Sequence, residues 1–184
     1  MIEFTTCDTP LGPLHLAMEG TALVQVHIQS ERHPSPPPAE WVRNDRKLKL
    51  AAKEVAAYFS GQLKRFQIEL APPGTEFQRK TWAALSLVPY GDTVTYAALA
   101  QTAGSPGASR AVGLAMRTNP LALILPCHRV VGSNGQLTGY AHGIEMKRNL
   151  LEFERSNRKA NSKLTWAQVA PRFGAPETKS LFPG

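Results

Sequence analysis

Three stretches at the start of the chain alternate apolar and polar positions with period two: Ile2/Phe4, then Leu14/Leu16/Met18, then Val24/Val26/Ile28. Residues two apart share one face of a strand, and the intervening Thr9-Pro10-Leu11-Gly12-Pro13 and Glu19-Gly20-Thr21 carry turn residues. An antiparallel meander is predicted. Pro34, Pro36, Pro37 and Pro38 exclude helix or central strand and predict an extended loop. The spacing then shifts to three and four. Leu48, Ala51, Ala52, Val55, Tyr58 and Phe59 line one face of a helix that Gly61 stops. Alternation returns through Phe66, Ile68 and Leu70 before Ala71-Pro72-Pro73-Gly74 closes this first part.

A different texture follows. Thr75 with Gln78 fits a capping box, opening a helix through Phe77, Trp82 and Leu85 that Pro89 ends. Thr95 can cap a short helix through Tyr96 and Leu99 that stops by Gly104. Ser105-Pro106 offers an N-cap and a first-turn proline for a third helix running toward Asn119-Pro120. Two helices joined so briefly predict a helix-turn-helix. A last helix is expected over residues 144–155, where Glu154 falls on the face of Leu150 and Leu151. A carboxylate on an apolar face needs a partner. The fold class expected is therefore α/β: a small N-terminal antiparallel sheet plus helix module over residues 1–73, then a mainly helical, winged-helix-like domain over residues 74–155. Residues 156–184 are polar and basic, and read as a mobile tail with at most local docking around Leu164 and Trp166.

Chemistry concentrates at Pro126-Cys127-His128-Arg129-Val130-Val131, which directly follows the apolar run Leu121-Ala122-Leu123-Ile124-Leu125. The run reads as a buried strand, so thiol, imidazole and guanidinium leave the core at a fixed place. Two readings stand for Cys127: a thiolate nucleophile assisted by a base, or a small buried hydrophobe beside a surface histidine. Adjacent Cys and His lack the spacing of paired zinc ligands, so no metal is expected. The third helix is also unusual. Gly107, Ala108, Ser109, Ala111, Gly113 and Ala115 are small, whereas Arg110 and Arg117 are long and cationic. Close approach to a partner and tight packing against a second helix both account for the small residues.

Composition narrows the field. The chain has 184 residues, 42% hydrophobic and only 19% charged, enough for one large or two small cores. Its formal net charge of +7 favours a polyanionic partner, with nucleic acid ahead of membrane because no basic amphipathic helix stands out. Two cysteines, Cys7 and Cys127, make no disulfide framework, and the first residues lack the blocks of a signal peptide. A soluble protein of the reducing cytoplasm is expected.

Arg110-Ala111-Val112-Gly113, Asn119-Pro120, Pro126-Cys127-His128-Arg129-Val130-Val131-Gly132 and Leu137-Thr138-Gly139-Tyr140 together resemble the O6-alkylguanine-DNA alkyltransferase family. Thr9 to Leu14 resembles the N-terminal module of that family. The resemblance implies that Cys127 irreversibly takes an alkyl group from O6-alkylguanine, and from O4-alkylthymine, in double-stranded DNA. His128 would help ionise it through a water, Glu154 would orient His128, and Asn119 would brace the active-site turn. Tyr96, Val130, Tyr140 and Ala141 would line the substrate pocket, with the carbonyls of Cys127 and Val130 accepting from the guanine amine. Arg110 would fill the gap left by the flipped nucleotide. Thr95, Ala108, Ser109, Gly113 and Ser133 would meet the DNA from its minor-groove side. No cofactor is implied, and a monomer is expected. His142 stands where relatives carry a small or a bulky aromatic residue, and implies a narrowed pocket rim.

The physics agrees with this reading. The O6-alkyl carbon of a stacked base is out of reach of a pocketed thiol unless the nucleotide is extruded, at a cost of a few kcal/mol that damage lowers. Three alternatives remain: a non-catalytic protein that binds alkylated bases and flags them for excision, a cysteine hydrolase, and a sequence-specific regulator. The first lacks the nucleophile, the second leaves Arg110 and the paired helices unexplained, and the third calls for base-reading side chains on the third helix.

Overall fold

The computed structural model describes residues 1–29 and 36–159, which fall into two compact units, one holding Met1–Pro72 and the other beginning at Pro73. In the first, β1 (Ile2–Thr9), β2 (Gly12–Glu19) and β3 (Ala22–Ile28) form the predicted antiparallel meander. A two-residue strand, β4 (Val42–Arg43), adds to β1 in parallel and gives the order β3-β2-β1-β4. Leu14, Leu16, Val26 and Ile28 are buried on one face, as their alternation requires. Helix α1 (Lys49–Phe59) buries Ala51, Val55, Tyr58 and Phe59 and packs against β1.

Phe66 to Leu70 does not form the strand its alternation suggested. The amides of Gln67 and Ile68 donate to the Glu54 carboxylate instead of a neighbouring strand, and Phe66 stacks on Tyr58 at 5.6 Å. Only Leu70 bridges to Leu23. Residues 36–38 carry no regular structure, while residues 30–35, with Pro34, and residues 160–184, with Leu164 and Trp166, lie outside the described residues.

The second unit begins with α2 (Glu76–Ser86), whose predicted capping box is present: Gln78 N–H donates to Thr75 Oγ1 at 3.2 Å, and Thr75 N–H donates to Gln78 Oε1 at 2.8 Å. Trp82 is buried and donates from Nε1 to the Ala115 carbonyl at 2.9 Å. Gly74 lets the chain cross this indole, because a Cβ there would lie 2.6 Å from Trp82 Cζ3. Strand β5 (Val94–Thr95) leads into α3 (Tyr96–Thr102), capped by Thr95 as expected, and α4 (Ser109–Arg117) packs on α3 as the second arm of a helix-turn-helix.

Two expectations need correction here. Helix α4 starts at Ser109 rather than at Ser105-Pro106, because Gly107 has φ +85° and residues 105–108 close a turn in which Ala108 N–H donates to Ser105 O. The run 121–125 is buried throughout but is not a strand. It curls into a turn, with Leu125 N–H donating to Leu121 O at 2.8 Å and Leu123 at φ 74°. Prolines 120 and 126 flank it, and a left-handed non-glycine residue inside it is strained by about 1–3 kcal/mol. After this turn, Cys127–Arg129 form one turn of 3-10 helix, β6 (Val130–Val131) pairs in parallel with β5, and α5 (Ile144–Ser156) closes the unit.

Candidate active site

Asn119 holds the turn that precedes Cys127. Its Oδ1 accepts from Leu121 N–H at 3.0 Å and its Nδ2 donates to Leu125 O at 2.9 Å, so one amide ties both ends of the curled run. Cys127 then stands at the start of the 3-10 turn, only 7% exposed. Burial pushes its thiol up, and hydrogen bonding to Asn119 and the positive charge of Lys147 oppose that.

His128 and Glu154 are fully buried, with His128 Nε2 and Glu154 Oε1 2.8 Å apart. Arg129 makes a two-pronged pair with the same carboxylate: Nε donates to Oε2 at 2.8 Å and Nη2 to Oε1 at 2.8 Å, while Nη1 donates to Val88 O at 2.7 Å. Gly91 N–H donates to Oε2 at 3.0 Å. Burial alone would raise the Glu154 pKa, but these donors outweigh it and hold the carboxyl below the usual carboxylate range. Burial lowers the His128 pKa in spite of Glu154. The arrangement consistent with both is an ionised Glu154 neutralised by Arg129 beside a neutral imidazole that donates from Nε2. Its Nδ1 is then an acceptor, and it makes no hydrogen bond among the described residues.

The residues expected to line the substrate pocket come from three segments. Tyr96, the first residue of α3, donates from its hydroxyl to the Thr138 carbonyl at 3.2 Å. Tyr140 Oη is buried without a hydrogen-bond partner among the described residues, and the Tyr140 and His142 rings meet edge to face at 5.6 Å. Ala141 beside it is exposed. The Val130 carbonyl accepts from Lys147 Nζ, and the Cys127 carbonyl accepts from Val130 N–H. Each carbonyl keeps a second lone pair.

On the helix-turn-helix, Arg110 is exposed near the start of α4, with Ala108 at the cap and Ser109 in its first turn. The Thr95 hydroxyl is engaged in its capping bond to Ala98 N–H at 3.1 Å. Ser133 lies exposed in the turn after β6. A Cβ on Gly113 would meet only Tyr96 Cε1, at 4.0 Å, so the packing around it does not demand glycine. Ala115, one of the small residues of the third helix, is buried, and its carbonyl receives the Trp82 indole. Sequence reasoning placed the Arg129 guanidinium beside Cys127 but gave it no role, and it missed Gly91 and Lys147 as parts of the site. For Lys147 a signal existed, since it shares the inward face of α5 with Leu150, Leu151 and Glu154.

Fold and site together define a protein with a buried cysteine next in sequence to a buried histidine that pairs with a carboxylate, on a unit that also carries a helix-turn-helix. Two family models match the chain: the ribonuclease-like domain of 6-O-methylguanine DNA methyltransferase over residues 2–72, and its DNA binding domain over residues 76–156. The methylated-DNA–protein-cysteine methyltransferase of Methanosarcina acetivorans is 47% identical over 149 residues, 81% of this chain and 96% of that protein. The protein of the same name from Mycobacterium bovis is 44% identical over 161 residues, 88% of this chain and 97% of its own. The crystal structure of Mycobacterium tuberculosis OGT in complex with DNA superposes with a TM-score of 0.76 at 44% identity, over 86% of this chain and 96% of that one. The chain belongs to the 6-O-methylguanine DNA methyltransferase family.

Proposed function

We propose that this protein repairs DNA by moving the alkyl group of O6-alkylguanine, and of O4-alkylthymine, irreversibly to Cys127 Sγ. The observation that carries this reading is the orientation of His128: with Nε2 given to an ionised Glu154, Nδ1 is an acceptor on the residue next to the nucleophile. Through a bridging water it can take the thiol proton as Cys127 approaches the alkyl carbon. In the displacement a sulfur–carbon bond forms and the carbon–O6 bond breaks, with the electron pair leaving on the guanine oxygen and a proton returning to the base. The product is a thioether, which water has no easy route to cleave, so each molecule acts once and no cofactor enters.

The DNA roles follow the same chemistry. Arg110, exposed at the start of α4, would occupy the stack in place of the flipped nucleotide. The small residues Ala108, Ser109 and Gly113 would let the helix backbone approach from the minor-groove side, with Thr95 and Ser133 on the sugar-phosphate chain. Tyr96, Tyr140, Ala141 and the Cys127 and Val130 carbonyls would receive the base, and Asn119 would keep the thiol aimed at it. The protein would act as a monomer in the cytoplasm. No helix among the described residues is long and apolar enough to cross a membrane.

Mixing the protein with excess duplex containing one O6-methylguanine is expected to add one CH2 to its mass, localised to Cys127 and absent in Cys127→Ala. Tight binding without the mass gain would make it a lesion-flagging protein and remove Cys127 from its role. The ring of His142 against Tyr140 narrows the pocket rim in this reading. His142→Gly should therefore raise the rate on O6-benzylguanine relative to O6-methylguanine by about tenfold, the scale on which apolar pockets sort small groups. An unchanged ratio in competition assays would discard the rim assignment.

A further inference from the structure

Lys147 is fully buried, and its ammonium has an unusual set of partners. It donates to the carbonyl of Val130 and, at 2.8 Å, to that of Thr138. No carboxylate is among its partners in the described residues, and Glu154, two turns along the same face of α5, is already neutralised by Arg129. A buried cation held by neutral carbonyls is costly, and a leucine or methionine would serve packing better. What it touches explains its presence. Val130 follows directly on the nucleophile turn and is anchored to β5 through Val94. Thr138 lies in the loop that carries Tyr140, and its carbonyl also receives the Tyr96 hydroxyl from α3.

We infer that Lys147 is a positioning residue for the transfer: it ties the strand leaving Cys127 to the loop bearing Tyr140, fixing the width of the guanine pocket, and supplies the positive charge that a buried thiolate at Cys127 needs. The inference rests on the alkyl-transfer reading above. Two further observations support it. Lys147 opposes the burial that raises the Cys127 pKa, and burial lowers the Lys147 pKa to about 8 while Cys127 pulls it back up. The charge of each favours the charged form of the other. Lys147 touches neither the thiol nor, in this reading, the substrate base. It acts through the carbonyls it holds and through its field.

The test compares wild type, Lys147→Met and Lys147→Gln, all as full chains, in single-turnover transfer from an O6-methylguanine duplex, in affinity for that duplex, and in the pH dependence of Cys127 alkylation by iodoacetamide. Peptide masses separate Cys127 from Cys7, whose thiol burial pushes up to about 11. Lys147→Met should lose about tenfold to a hundredfold in transfer rate, as misplacement of a reacting group does, with duplex affinity held within about twofold. Its Cys127 alkylation curve should move to higher pH. Lys147→Gln, whose amide can still donate to both carbonyls, should recover part of the transfer rate and leave the alkylation curve displaced. Transfer and alkylation both unchanged in a folded Lys147→Met would overturn the inference, as would a loss with no alkylation shift and no rescue by glutamine. If neither variant folds, Lys147 serves packing alone, and the inference fails. A wild type that gains no methyl group would instead remove the transfer reading itself, whatever the variants do.

Discussion

Arg129→Met should destabilise the protein by about 3–5 kcal/mol, because it strips one partner from a buried ion pair and leaves the other charged. Glu154 would lose the two guanidinium donors and keep those from His128 and Gly91, at a site with no access to solvent. The Val88 carbonyl would also lose its partner, and the Arg129 guanidinium would leave the Tyr90 ring over which it lies at 5.6 Å. Urea denaturation at pH 7 measures the effect. The double variant Arg129→Met with Glu154→Gln should recover part of the loss, because no charge is then left unpaired. A single-variant loss below about 1 kcal/mol would mean that Arg129 contributes no more than a surface pair.

His128→Gln should lower the single-turnover transfer rate by about a hundredfold to ten-thousandfold, the range of a positioned general base. The same residue sets part of the response to acid. Burial lowers its folded pKa below the ordinary 6.5, so the unfolded chain takes up a proton first as pH falls. Its contribution is complete above about pH 6.5 and is lost progressively below that value. Glu154 acts in the same direction further down: its folded pKa is depressed from 4.5, so the stability it provides above that value disappears as pH falls. Between pH 7 and 5 the urea midpoint of the wild type should fall more steeply than that of His128→Gln. Equal slopes would show that His128 is not held neutral in the fold.

Local rules explain which parts of this architecture the sequence disclosed. Thr75 with Gln78, and Thr95 before α3, are capping signals complete within four residues, and both stand as read. Glu154 was legible because a carboxylate on an apolar helix face requires a partner. His128 was named as its partner, but Arg129, though singled out beside Cys127, showed nothing that tied it to Glu154, and Gly91 contributes only an amide, which carries no pattern. Lys147 carried the same facial signal as Glu154, but long cationic side chains so often reach solvent that spacing alone does not mark one as buried. The run 121–125 misled for another reason. Five apolar residues in succession specify burial but no period, and the chain direction came from flanking prolines and a single asparagine side chain.

The donors to Glu154 from Gly91, His128 and Arg129 come from two separated stretches of chain, the Gly91 loop and the 3-10 turn, and α5 supplies the carboxylate as a third. The carboxylate proposed to orient His128 is thus also the knot that closes the unit. Chemistry and cohesion share one carboxylate, so a change that retunes His128 from that side also changes the folding equilibrium. The thiol side is freer: Asn119 and Lys147 bear on Cys127 without touching the knot. Variation that adjusts reactivity while preserving the fold has its room there, and the Glu154 side is where the architecture tolerates least.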